Sequence, residues 1–259
     1  MRLASRRTGS GPPLVVLNGF AATKDDWDPT FLSELARQHE LVLFDNRGVG
    51  ESPDDGEPFT IEDLAADVAG AIQSLDLDRP AVLGWSLGGF VAIALALAHP
   101  EAVDRLVLLS TTGGGALTTR ADEEIRERLR DVSGTPREQA TRLISLLFPP
   151  ERAREIDAEF GEAVAAARAA LPADVLGRQW GSLEAWERGD QGRDVGKIAC
   201  PTLIVTGEAD VVTPPANALA LALAIPGSWL ARFPDCGHGF MADHPQALAR
   251  LIATFLSYD

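Results

Sequence analysis

The stretch Ala81-Val82-Leu83-Gly84-Trp85-Ser86-Leu87-Gly88-Gly89-Phe90-Val91-Ala92 decides the fold. Ala81 to Leu83 is a short apolar run of strand type, and from Leu87 onward the apolar residues continue as a helix. Ser86 therefore falls at the turn between them. A strand that turns this sharply into a helix holds its turn residue in a strained backbone conformation, and Gly84 and Gly88 remove side chains that would collide there. The Ser86 hydroxyl then projects beyond the sheet, with the N–H of Leu87 before it at a helix N-terminus. The bland alternative is a glycine-rich turn with a capping serine.

Working outward, further apolar runs have the same character: Leu14-Val15-Val16-Leu17, Leu41-Val42-Leu43-Phe44, Leu106-Val107-Leu108-Leu109 and Thr202-Leu203-Ile204-Val205. Continuous rather than alternating apolar runs predict strands buried on both faces, hence a mostly parallel sheet. Ile61, Leu64, Ala65, Val68, Ile72 and Leu75 form a helical stripe, with Thr60 as N-cap and Asp63 three residues on. From about Ala116 to Gly196 the chain reads as helical only, rich in Arg, Glu and Ala, with breaks at Gly134-Thr135-Pro136, Phe148-Pro149-Pro150 and Leu171-Pro172. The expected organisation is an α/β core over residues 1–115 and 197–259, interrupted by an all-helical lid over 116–196.

The 259 residues suffice for one large domain with its own core. A formal net charge of -15 repels phosphate backbones and anionic lipid, so neither nucleic acid nor a membrane surface is expected as a partner. The longest apolar stretch, Phe90 to Ala98, is too short to cross a bilayer, and residues 1–13 lack the apolar run of a signal peptide. A cytoplasmic location is the expectation. The two cysteines, Cys200 and Cys236, cannot make a disulfide framework, and a bridge between them is not expected. No cluster of His, Cys and Asp has metal-ligand spacing. Nothing in the pattern decides the oligomeric state.

In an open parallel sheet, functional groups gather beyond the carboxyl ends of the strands. Besides Ser86, two candidates stand there. Asp210, in Thr206-Gly207-Glu208-Ala209-Asp210, could orient an imidazole and stabilise its cation; Glu208 is its rival. His238, in Cys236-Gly237-His238-Gly239, could serve as general base, whereas His39, His99 and His244 are less well placed. The chain order Ser, Asp, His resembles that of the α/β-hydrolase superfamily. The matching pieces are Leu17-Asn18-Gly19-Phe20, Asp45-Asn46-Arg47-Gly48-Val49-Gly50-Glu51-Ser52, Gly84 to Gly89, Pro201 to Asp210 and Gly237-His238.

The resemblance implies Ser86 as nucleophile, Asp210 as acid, His238 as base, and an oxyanion hole from the N–H groups of Phe20 and Leu87. It also implies that the helical middle is the family's cap, roofing the substrate pocket. Two departures stand out. Asn18 occupies a position where the family usually has histidine. Only a short segment precedes Leu14, where relatives have two strands; Arg2 to Thr8 could supply one, so the first edge strand is expected to be missing or the start truncated.

A serine at the elbow points away from dehalogenase and epoxide hydrolase chemistry, which uses aspartate there. The expectation is acyl transfer to Ser86 and hydrolysis by water, with no cofactor, on a small-molecule ester or lactone. Phe20, Trp85, Phe240 and Met241 flank the motifs and are expected to line an apolar pocket, with Trp27, Phe148, Trp180 and Trp186 as further contributors or plain core. Arg47 could bind a carboxylate or simply hold its own loop. Two alternatives use the same residues: a ligand sensor that docks a signalling partner, and a C–C hydrolase or lyase.

Overall fold

The computed structural model describes residues 1–258. Its sheet has seven strands: β1 (Ser5–Gly9), β2 (Pro13–Leu17), β3 (Glu40–Phe44), β4 (Ala81–Trp85), β5 (Leu106–Leu109), β6 (Thr202–Gly207) and β7 (Trp229–Phe233). They lie in the order β1-β3-β2-β4-β5-β6-β7. β1 pairs antiparallel with β3 at one edge and every other pairing is parallel. The strand drawn from the segment before Leu14 is thus the antiparallel edge.

The helices are α1 (Pro29–Leu35), α2 (Ile61–Ser74), α3 (Leu87–Ala98), α4 (Glu123–Arg130), α5 (Pro136–Leu147), α6 (Pro150–Ala169), α7 (Ala173–Arg188), α8 (Ala216–Ala224), α9 (Phe240–Asp243) and α10 (Pro245–Leu256). α2 begins on the expected capping box: the Thr60 side chain accepts from the Asp63 N–H while Asp63 accepts from the Thr60 N–H.

Alternate residues of each strand feed two separate cores, which is why the strands read as unbroken apolar runs. Val15, Leu17, Val42, Val82, Leu106 and Leu108 pack under α2 and α3. Leu14, Val16, Leu41, Leu43, Leu83 and Val107 pack under α1 and α10. α3 is buried on nearly every side from Leu87 to Ala96, as its sequence without a polar face demands. Edge strand β7 instead alternates half-buried and exposed residues.

The chain starts its parallel layer at β2, moves outward to β3, then crosses back to β4. The strand order therefore reverses between β2 and β4, which lie side by side with Leu17 opposite Gly84. Such a reversal opens a crevice at the carboxyl ends of the two strands. Between β5 and β6 the described residues contain helices and no strand, α4 to α7 among them. No helix among the described residues is long and apolar enough to cross a membrane.

Candidate active site

Ser86 stands at the crevice between β4 and α3 with φ 54° and ψ -120°, a left-handed backbone that costs a non-glycine residue about 1–3 kcal/mol. The surroundings enforce it. The Ser86 N–H donates to the Leu109 carbonyl at 2.9 Å, and the Ser86 carbonyl accepts from Thr111 Oγ1 at 2.8 Å and from the Gly89 N–H at 2.8 Å. A Cβ on Gly84 would run into the Gly88 backbone, and one on Gly88 into the Leu17 carbonyl, so both positions exclude side chains. The turn holds the loop after β2 against the elbow. The Leu87 N–H opens α3, where helical N–H groups have no acceptor within the helix.

Asn18 bridges two elements where histidine was the expected type. Its Nδ2 donates to the Phe44 carbonyl at 2.7 Å and its Oδ1 accepts from Trp27 Nε1 at 2.6 Å. Both ends of a buried amide are thereby used, which fixes the Asn18–Phe20 loop beside Ser86. Just beyond, Ala21 adopts φ 57° and its N–H donates to Gln179 Oε1 of α7 at 3.0 Å.

His238 and Asp210 meet as a buried pair: His238 Nδ1 lies 2.8 Å from Asp210 Oδ2, their side chains 2% and 0% exposed. The other Asp210 oxygen accepts from the N–H groups of Val212 and Thr213, at 2.9 and 2.8 Å. These bonds hold the carboxylate in place. Glu208, the rival, is exposed and paired with Arg232. The Trp85 ring lies 5.3 Å from the His238 ring, and Trp85 Nε1 donates to the His238 carbonyl at 3.1 Å. With Nδ1 held by Asp210, Nε2 is the ring nitrogen left to act.

Ser86 and His238 open into one cavity of about 420 Å³, between the strand ends and α4 to α7. Of the expected lining residues, Phe20, Trp85, Met241, Phe148, Trp27 and Trp180 line it. Phe240 does not: it is fully buried in the core under α10, stacked on Phe233 with ring centroids 5.5 Å apart. It follows the histidine in sequence, but the first turn of α9 carries it inward. Trp186 is likewise core, stacked on Phe90 at 6.0 Å. Arg47 binds Asp67 at 2.7 Å and lies outside the cavity lining. Cys200 and Cys236 are both free thiols, and burial pushes the Cys236 thiol up to about 11.

Three polar groups of the cavity wall escaped the sequence reading, because amphipathic helices carry Arg and Glu mostly on solvated faces. Arg126 and Glu187 line the cavity, joined at 2.7 Å, with the Arg126 guanidinium 5.0 Å over the Trp180 ring. Burial raises the Glu187 pKa above the usual carboxylate value. Arg168, on the last turn of α6, also lines the cavity and is 7% exposed. The described residues contain no group of three or more His, Cys, Asp or Glu able to hold a metal ion.

Comparison with known proteins agrees with this architecture. The family model described as "alpha/beta hydrolase fold" matches residues 12–245. The chain is 30% identical, over 88% of its length and 85% of the relative's, to the Klebsiella pneumoniae protein named "Putative carbamate hydrolase RutD". The crystal structure of a hydrolase from Pseudomonas aeruginosa superposes with a TM-score of 0.84 at 29% identity, covering 99% of this chain and 94% of that one. A thermophilic esterase from Thermogutta terrifontis gives a TM-score of 0.80 at 28% identity, covering 98% and 92%. With the family model matched over residues 12–245, the chain belongs to the α/β-hydrolase fold family.

Proposed function

We propose that the protein is a serine hydrolase that cleaves a small-molecule carboxylic ester or lactone through an acyl-Ser86 intermediate. The observation that carries this reading is the buried His238–Asp210 pair opening into the same cavity as a serine held at φ 54°. Ser86 Oγ attacks the substrate carbonyl carbon while His238 Nε2 takes the hydroxyl proton. The carbonyl electron pair moves onto oxygen, and the N–H groups of Phe20 and Leu87 stabilise that charge. Collapse expels the alcohol, which leaves with the proton from His238. Water, deprotonated by His238, then releases the acid and restores Ser86. Asp210 holds the imidazole and stabilises its cation without taking the proton.

In this reading residues 116–196 act as the cap. Val164, Leu143 and Ile144 supply its apolar underside, and Phe148 packs over the histidine loop, where the Gly239 N–H donates to the Leu147 carbonyl at 2.9 Å. The similarity to a protein named for carbamate hydrolysis favours carbamates as a second substrate class, and their carbonyl carbon would be attacked in the same way. A fluorophosphonate probe should label Ser86 with one adduct per chain, and short-chain p-nitrophenyl esters should turn over many times. Failure of both would reject the reading; labelling with carbamate turnover but no ester turnover would move the substrate class alone.

A further inference from the structure

Two cations of the helical roof line the cavity, Arg126 and Arg168, and among the described residues only Arg126 has a carboxylate partner. Arg126 is neutralised by Glu187 at 2.7 Å and Glu184 at 3.2 Å. The Arg168 side chain has no hydrogen-bond or ion-pair partner among the described residues, and its Nε is buried without an acceptor. Yet the residue is only 7% exposed, and it lines the same cavity as Ser86 and His238. An arginine stays charged at any working pH, and burying that charge unpaired is expensive. Burial pulls the guanidinium below its ordinary pKa and the Arg142 charge adds to that, while Asp26, which also lines the cavity, opposes the shift without forming an ion pair with it. A helix can place Arg in its last turn for the macrodipole alone, but that role leaves the head in solvent. Here the head is inside.

Resting on the hydrolase reading above, we propose that the substrate carries a carboxylate remote from the bond that is cleaved, and that Arg168 is the residue that binds it. The wall around Arg168 includes Phe160, Val164, Ala167 and Ile156, so an aliphatic chain would connect the two polar ends. A single unpaired cation matches a monoanion. A phosphate monoester, carrying about -1.5 to -2 charge at neutral pH, would bring excess charge into the site. The planar guanidinium also meets a carboxylate with two parallel hydrogen bonds, which fixes the substrate's orientation relative to Ser86.

The test compares two p-nitrophenyl esters of equal chain length, the neutral hexanoate and the mono-adipate, on the wild-type protein and on Arg168→Gln and Arg168→Lys. The wild type should prefer the adipate, and Arg168→Gln should lower the adipate-to-hexanoate ratio of kcat/KM by about thirtyfold or more, chiefly through KM. Arg168→Lys should retain part of the preference. Equal ratios in wild type and Arg168→Gln overturn the proposal. So do equal losses on both esters reproduced by Asp26→Asn, which would make Arg168 a latch on the cavity mouth. Titration of the wild type with adipate monoamide, hexanamide and the matching phosphonate needs neither a variant nor turnover. The carboxylate should bind about tenfold tighter than the amide; parity of the two, or tighter phosphonate binding, overturns the assignment. Absence of ester turnover and of Ser86 labelling would instead reject the hydrolase reading, and this titration would still decide the carboxylate site.

Discussion

The floor of the cavity is built from parallel strand ends and the roof from α4 to α7, and the two hold their polar groups by different means. On the floor, the Ser86 backbone is held by the Leu109 carbonyl and the Thr111 hydroxyl, and the Asp210 carboxylate by the N–H groups of Val212 and Thr213, with His238 in turn held by Asp210. On the roof, Arg126, Arg168 and Glu187 project from helices whose geometry would be the same with other side chains there. Backbone-locked groups keep their positions to a fraction of an ångström, which acyl transfer demands. Side chains on a helical surface can be exchanged without disturbing the fold, which suits selection among substrates. Floor and roof meet at few polar ties, Gln179 to Ala21 and Arg178 to Asp54 among them.

Removing the hydroxyl of the proposed nucleophile on the floor should have the largest effect. Ser86→Ala should lower kcat by about 10⁴-fold or more in a p-nitrophenyl ester assay. Its thermal midpoint should stay close to wild type, because the strain at φ 54° remains and no buried hydrogen bond of the Ser86 backbone is lost. A large drop in stability would mean that the hydroxyl itself holds the elbow, and the contrast would weaken.

Gly88→Ala should act on the fold instead. Its Cβ would enter the Leu17 carbonyl on rigid backbone, and we expect a loss of about 3 kcal/mol or more in urea unfolding. An alanine placed on the roof at Gly177 or Gly181, where a Cβ meets nothing within 4 Å, should be neutral or slightly stabilising.

The tie between the regions is sharpened by Gln179→Leu. It leaves the Ala21 N–H without its acceptor in a buried position, a cost of about 1–3 kcal/mol. The neighbouring Phe20 N–H should lose its aim, lowering kcat about tenfold with KM little changed. A change in KM alone would place Gln179 with the roof in the proposed substrate selection.

The smallest expected effect concerns the outer tie. The Arg178 guanidinium holds the Asp54 carboxylate down to about 2, from an ordinary 3.8. A depressed carboxylate contributes stability that is present above its unfolded pKa and lost as pH falls through its folded one, so this contribution should fade between about pH 4 and pH 2. Because the pair is partly solvated, the difference between wild type and Asp54→Asn should be below about 1 kcal/mol at neutral pH and should vanish near pH 2 in thermal melts.

The difference between floor and roof also explains what could be read without coordinates. Unbroken apolar runs such as Leu106 to Leu109 have one stable solution, a strand covered on both faces, and glycines 84 and 88 mark the elbow because no other residue fits. Asp210 over Glu208 came from the family resemblance alone, since both carboxylates follow the same strand; in the fold Asp210 is buried against His238 and Glu208 is exposed beside Arg232. Phe240 shows the opposite limit. Its place beside the histidine suggested the cavity, and a four-residue helix sends it to the core. Arg168 was illegible because α6 is rich in charges, most of them solvated, and nothing local distinguishes the one that is buried.

The amino-acid sequence by itself determined the sheet, the elbow at Ser86 and the order in which serine, aspartate and histidine arrive. These depend on hydrophobic periodicity and on backbone sterics, both local properties of the chain. Only the tertiary structure decided that Asp210 meets His238, that Gln179 reaches Ala21 and that the buried, unpaired Arg168 side chain lines the cavity that Ser86 also lines. Each of those joins residues far apart in the chain, and burial and pairing are properties of the packed whole.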